Sequence, residues 1–219
     1  MAEIRHIVWD WNGTLLDDTA LTVRAAETAL AAIGHPVKVS IEQWRAVATR
    51  PAQVTYEHLI GAPLSHEQWC VLADAWLDAY QSQLPSVALN VEAVAVLQEA
   101  RRRGITQSIV SLQSPSALCP HVAALGIADL FTAVSGLGGD WSARPTKAET
   151  IRAQLSEVGV PAQQALMIGD MADDGREGSQ VGLSVALVPT GDTSLERLVA
   201  SGFPVAPSLQ AAVASAFAG

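Results

Sequence analysis

Cysteine is scarce in these 219 residues: only Cys70 and Cys119 occur, with no CxxC pair, and the five histidines are scattered. That excludes a disulfide framework and a structural zinc site. Aromatic residues make up 5%, and six of the eleven are Trp. Basic residues are few, 13 against 22 acidic, for a formal net charge of −9. A chain so charged, without Lys/Arg runs, is a poor match for DNA, RNA or an anionic membrane, where phosphate neutralisation supplies most of the affinity. Arg101-Arg102-Arg103 is the densest basic stretch. It falls at a predicted helix end, where cations suit the dipole. No apolar run approaches the roughly 18 residues of a membrane span. Arg5, His6 and Asp10 interrupt the short run Ile7-Val8-Trp9, unlike a signal peptide. The expected address is a reducing cytoplasm.

What the chain does have is apolar mass: 49% hydrophobic against 16% charged residues, enough for a sizeable core. Ile4–Trp9 reads as a buried strand ending at Asp10-Trp11-Asn12-Gly13-Thr14. A helix follows over Asp18–Ile33, with Asp18 as the candidate N-cap and Gly34-His35-Pro36 as the stop. Three more helices are predicted, at Ile41–Thr49, Ala52–Ile60 and His66–Gln83, with no strand between them. After Pro85 strands and helices alternate. The strands are expected at Ile105–Ser111, Phe131–Val134, Ala165–Ile168 and Leu183–Val188, with Pro204–Ala206 as an edge. The helices fall at Val91–Arg103, Pro115–Leu125, Thr146–Val158, Asp173–Val181 and Leu195–Ala200, and a last one from Leu209 docks the Ala-rich tail. Alternation implies parallel pairing through right-handed crossovers. The expected fold is α/β, a doubly wound parallel sheet with an inserted all-helical domain. Residues 1–15 and 89–219 form the α/β part, and residues 16–88 the insert.

Such sheets bind ligands at the carboxyl ends of their strands. Three predicted strands end in Asp10, Ser111 and Asp170, and Lys147 opens a later helix. Two carboxylates suit a hard cation such as Mg²⁺, while a hydroxyl and an ammonium suit phosphate oxygens. Together they point to metal-assisted phosphoryl transfer with a carboxylate nucleophile.

These residues resemble the four motifs of the haloacid dehalogenase-like (HAD) hydrolases. Val8-Trp9-Asp10-Trp11-Asn12-Gly13-Thr14-Leu15 is similar to the first, Ile109-Val110-Ser111 to the second and Lys147 to the third. Met167-Ile168-Gly169-Asp170 with Asp173-Asp174 is similar to the fourth. The helical insert resembles the cap of phosphoglycolate-phosphatase-like members. The resemblance implies a Rossmann-like core and a Mg²⁺-dependent phosphatase for a small phosphorylated metabolite. Asp10 is then the nucleophile that becomes an aspartyl phosphate. Mg²⁺ sits on Asp10, Asp170 and the backbone carbonyl of Asn12, with Asp174 nearby. Ser111 and Lys147 hold phosphoryl oxygens, and Gly13 and Thr14 belong to the substrate loop. Arg50, with Arg45 behind it, is the cap residue expected to meet an anionic substrate group.

Three departures matter. Asn12 stands where the family's phosphatases carry a second Asp, the acid that protonates the leaving oxygen. Its absence costs about 10²–10⁴ in rate on alkyl phosphates, and less where the leaving group is acidic. Leu112 replaces an expected Asn after Ser111, and Lys147 follows Arg144-Pro145 instead of preceding a proline, which leaves Arg144 as a substitute cation. The alternatives are a weakly active relative that binds a phosphorylated ligand in a regulatory role, and a metal-free dehalogenase. The simpler expectations are local ones. Asp173 and Asp174 suit a helix first turn, Trp9 and Trp11 are packing residues, and Trp44, Trp69 and Trp76 build the insert's own core. The loop Gly136-Leu137-Gly138-Gly139-Asp140, with Trp141, lacks a dinucleotide fingerprint. Asn12-Gly13 is a deamidation-prone pair, whose conversion to Asp would restore the missing acid.

Overall fold

The computed structural model describes residues 3–138 and 146–217; Gly139, Asp140, Trp141, Arg144 and Pro145 lie outside the described residues. Five parallel strands form one sheet: β1 (His6–Trp9), β2 (Thr106–Ser111), β3 (Ala133–Gly136), β4 (Ala165–Gly169) and β5 (Ser184–Leu187), in the order β3-β2-β1-β4-β5. β1 is central because every one of its side chains is buried, as a parallel sheet covered on both faces requires. Trp9 is in register with Ile109 on one side and Ile168 on the other. Ile7, Trp9, Ile109 and Ile168 face one apolar layer; Val8, Val110 and Met167 face another with Ile151 and Leu155, the period-two alternation of a strand.

The chain winds from β1 to β2 and β3 on one side, then crosses to β4 and β5 on the other. The strand order reverses at β1, so the carboxyl ends of β2, β1 and β4 converge on a ligand-binding crevice.

Four helices intervene between β1 and the rest: α1 (Thr19–Ala32), α2 (Ile41–Val47), α3 (Ala52–Ile60) and α4 (His66–Gln83). Ser40 with Gln43 opens α2 and Ser65 with Gln68 opens α4 as capping boxes, each pair satisfying two end amides reciprocally. The segments entering and leaving this block run side by side. Asp17 N bonds to Ala88 O at 3.1 Å, Asn90 N bonds to Leu15 O at 2.8 Å, and Leu16 bridges Leu89.

The tryptophans correct one expectation. Trp44 and Trp69 each make a ring contact with Tyr56, and Trp76 stacks on Tyr80 at 4.6 Å. Their cluster is continuous with the layer under the sheet, running through Leu15, Leu16 and Leu21, so the block has no separate core.

The further helices among the described residues include α5 (Ala93–Arg102), α6 (Pro115–Ala124), α7 (Ala148–Val158), α8 (Ala172–Val181) and α9 (Leu195–Ala200). A last one, α10 (Leu209–Ser215), docks beside α5 through Leu209, Ala212 and Val213. β3 begins two residues later than its apolar run, because Ala128–Leu130 forms a 3₁₀ turn and Phe131 caps it. The Pro204–Ala206 edge is a single bridge from Val205 to Leu187. Both cysteines are free. No helix among the described residues is long and apolar enough to cross a membrane.

Candidate active site

Asp10 follows β1 directly, its amide held by Ile168 O of β4 at 2.9 Å. Asp170 follows β4, and Asp174 lies in the first turn of α8. Each of the three offers a carboxylate oxygen within 4.8 Å of the others'. Lys147, just before α7, enters this cluster from the side. Its Nζ donates to Asp10 Oδ1 at 2.5 Å and to Asp174 Oδ1 at 2.7 Å. The residue is only 5% exposed, so it is not a solvated surface lysine. Its backbone amide is held by Glu177 of α8.

Burial shapes the charges. It pushes Asp170 well above the ordinary carboxylate range, and repulsion from Asp10 and Asp192 adds to it. Asp174 is pushed by burial to about 6, with Lys147 opposing. For Lys147 burial alone favours the neutral amine, but Asp10 and Asp174 outweigh it and the pKa rises. Three carboxylates against one ammonium leave unbalanced negative charge among oxygen donors. That donor set fits Mg²⁺, a hard cation bound through carboxylates and water.

Gly13 and Thr14 are buried against the carboxylates. Thr14 is fully buried, and its hydroxyl donates to Asp10 Oδ2 at 3.2 Å and Asp170 Oδ1 at 3.4 Å. Gly13 has φ +71°, and a Cβ there would stand 2.7 Å from Asp170 Oδ2 and 2.8 Å from Gly191 Cα. Glycine is therefore required by close approach as well as by conformation. Ser111, at the end of β2, is buried; its Oγ accepts from Gln113 N at 3.1 Å and donates to Asn12 Oδ1 at 3.4 Å.

Asn12 has a defined orientation. Its Nδ2 donates to Asp18 Oδ2 at 2.8 Å and to the Tyr80 hydroxyl at 2.7 Å, while Gly13 N donates to Asp18 Oδ1 at 2.7 Å. Asp18 therefore does not cap α1, as its position suggested; its side chain makes no cap bond. It is a buried carboxylate whose protonated form burial favours, against three hydrogen bonds that favour the charge.

Asp10, Asn12, Arg50, Ser111, Leu112, Lys147, Asp170 and Asp174 share one crevice. Arg45 does not: its guanidinium donates to Gly191 O at 2.7 Å and Thr190 O at 3.3 Å, pinning the loop after β5. Asp173 pairs with Arg176 at 2.5 Å. The sequence reading missed Tyr80 and Asp192. Asp192 lines the crevice and its amide donates to Asp170 Oδ2 at 2.6 Å. The signal for it was a polar Thr190-Gly191-Asp192 segment after β5, subject to the same strand-end rule that located Asp170. Tyr80 had none: an aromatic on a helix face reads as core.

A family model for haloacid dehalogenase-like hydrolases matches residues 7–188. A phosphoglycolate phosphatase from Caulobacter vibrioides is 26% identical over 191 residues, covering 85% of this chain and 80% of its own length. One from Vibrio parahaemolyticus is 29% identical over 181 residues, 78% of each. Among solved structures, a predicted phosphatase from Clostridium acetobutylicum superposes with a TM-score of 0.83 at 17% identity, over 100% of both chains; at that identity the likeness is one of fold.

Proposed function

This chain belongs to the haloacid dehalogenase-like hydrolases, and from that premise we propose that it is a Mg²⁺-dependent phosphatase acting on a small phosphorylated metabolite. Asp10 attacks phosphorus and becomes an aspartyl phosphate, which water then hydrolyses. The observation that carries this reading is the cluster itself: a buried carboxylate at the end of the central strand, gripped by Lys147 and flanked by Asp170 and Asp174. A metal-free dehalogenase has no use for the two further carboxylates. The names of the two phosphoglycolate phosphatases support the phosphatase branch.

Asp10, Asp170 and the carbonyl of Asn12 are the groups to hold the ion, with Asp174 beside them. When bound, it neutralises charge between nucleophile and phosphoryl oxygens. Thr14 keeps the Asp10 carboxylate from rotating away from its target. Lys147 and the Ser111 hydroxyl meet phosphoryl oxygens as negative charge gathers on them, a preorganised stabilisation that needs no rearrangement during the reaction. Residues 16–88 serve as the cap, and the paired segments at residues 15–17 and 88–90 are its attachment. Arg50 lies in the crevice wall on the cap side, suited to a phosphoryl oxygen.

Asn12 favours a second reading, a binding module with little turnover. The test is Mg²⁺-dependent phosphate release from an aryl phosphate and from phosphoglycolate, by wild type and Asp10→Asn. Release that needs both Mg²⁺ and Asp10 supports the phosphatase. Binding of a phosphate mimic without release supports the second reading.

A further inference from the structure

A second, larger cavity of about 280 Å³ opens off the crevice, and Asn12, Arg50, Leu112, Met171 and Asp192 line both. Its lining is aromatic: Trp44 in edge contact with Tyr56, and Trp76 stacked on Tyr80, with Leu77 beside them. Flat aromatic walls suit a ring, which prefers stacked or edge-on aromatic neighbours. Asp18 and Asp192 are its carboxyl groups and Arg50 its guanidinium. A chamber of this size with aromatic walls is poorly matched to a small anion such as glycolate.

Asn12 supplies an independent observation. Both hydrogens of its amide are committed to Asp18 and Tyr80, and its oxygen faces Ser111. Nothing at position 12 offers a proton to a departing oxygen.

Resting on the phosphatase reading, we propose that the substrate is the phosphate monoester of an acidic hydroxyl carried on a flat, uncharged ring, with the ring seated in the Trp44–Tyr56–Trp76–Tyr80 chamber. As an Asp10 oxygen bonds to phosphorus, the bond from phosphorus to the ring oxygen breaks and its electron pair leaves as aryloxide, which is stable without a proton. Water then attacks the aspartyl phosphate. The Asp10 carboxylate is regenerated, and the water's hydroxyl and proton leave together as dihydrogen phosphate.

Four probes separate the parts: 4-nitrophenyl phosphate (ring, acidic hydroxyl), benzyl phosphate (ring, poor leaving group), acetyl phosphate (good leaving group, no ring) and phosphoglycolate. The expected kcat/KM for 4-nitrophenyl phosphate exceeds those for benzyl phosphate and phosphoglycolate by at least 100-fold, and that for acetyl phosphate by at least tenfold. Ala52→Trp, which fills the chamber, and Leu77→Glu, at a position 37% exposed and tolerant of change, each lower the ratio of 4-nitrophenyl to acetyl phosphate turnover at least tenfold. If acetyl phosphate is hydrolysed but phosphoglycolate matches or exceeds the aryl ester, or if neither variant moves the ratio, the proposal is overturned and the phosphatase reading stands. If no probe releases phosphate with Mg²⁺, both fall.

Discussion

The Tyr80 hydroxyl donates a 2.6 Å hydrogen bond to Asp18 Oδ2, closing a triangle behind Asn12 in which the asparagine amide touches both. Asn12 is thereby held by Asp18, just before the first helix of the inserted block, and by Tyr80 of the last, and its identity is coupled to theirs. Asp18 accepts from the Tyr80 hydroxyl, the Gly13 amide and an amide hydrogen at position 12.

Asn12→Asp therefore does more than restore an acid. It sets a second carboxyl against a buried carboxylate, so one proton must be shared or both groups repelled. The variant should gain activity on alkyl phosphates only while that proton is retained, and its advantage should shrink as pH rises. Its stability should fall by about 1–3 kcal/mol, the cost of a buried polar group without its partner. Denaturant melts at pH 6 and pH 8, beside kcat on benzyl phosphate, measure both. Adding Asp18→Asn returns a donor to the pair and should recover part of the loss; a double variant less stable than the single one contradicts this account.

Deamidation of Asn12-Gly13, expected from the dipeptide alone, should be slow in the folded protein. The reaction needs Gly13 N to attack the Asn12 side-chain carbon, and that amide is committed to Asp18 Oδ1 at 2.7 Å. Peptide mass after prolonged incubation should show the one-dalton increase in unfolded material and not in native material. Equal rates in the two would mean the loop opens freely.

His6 is fully buried in β1, its ring nitrogens against the Thr106 and Ser108 hydroxyls at 2.8 and 2.9 Å. Burial lowers its pKa from 6.5 to about 4. The folded form binds the proton less readily than the unfolded chain, so this contribution is complete above about 6.5 and is lost as pH falls toward 4. His6→Gln should flatten that limb of the stability curve, read as the midpoint of urea unfolding from pH 7 to pH 4. An unchanged slope would assign the acid sensitivity to other groups.

Lys147→Met keeps the volume and removes the charge between Asp10 and Asp174. With metal withheld the variant should lose about 3–5 kcal/mol, as when one partner of a buried ion pair is removed. Added Mg²⁺ should restore more stability to it than to wild type, since the ion then carries the whole neutralisation. Thermal melts with and without Mg²⁺ test this. Equal Mg²⁺ shifts in the two proteins would place the ion away from these carboxylates.

The site was legible where chemistry and chain geometry coincide. Asp10, Ser111 and Asp170 each end an apolar run, and strand ends in such sheets converge, so spacing alone located them. Lys147 and Asp174 stood at predicted helix starts and fell into the same crevice. Asp18 was misjudged because an aspartate before a helix looks like a cap whether or not its side chain bonds there; only the tertiary approach of Tyr80 reveals the difference. The Thr14 hydroxyl turns onto the Asp10 and Asp170 carboxylates, a matter of rotamer that no pattern encodes. The start of β3 moved because a 3₁₀ turn absorbed the first residues of its apolar run. The shared core of helical block and sheet was hidden too, since helical periodicity marks an apolar face without saying what meets it.

The strand order has a consequence for biosynthesis. β1 sits at the centre of the sheet, yet the partners of His6 are Thr106 and Ala165, translated long after it. A growing chain must hold that buried strand with no neighbour until β2 has been made and with only one until β4 follows, and such unpaired segments invite aggregation and chaperone capture. Asp170 is translated directly after β4, so the nucleophile meets its partner carboxylates only once that wait is over. No shorter nascent chain holds the complete carboxylate cluster.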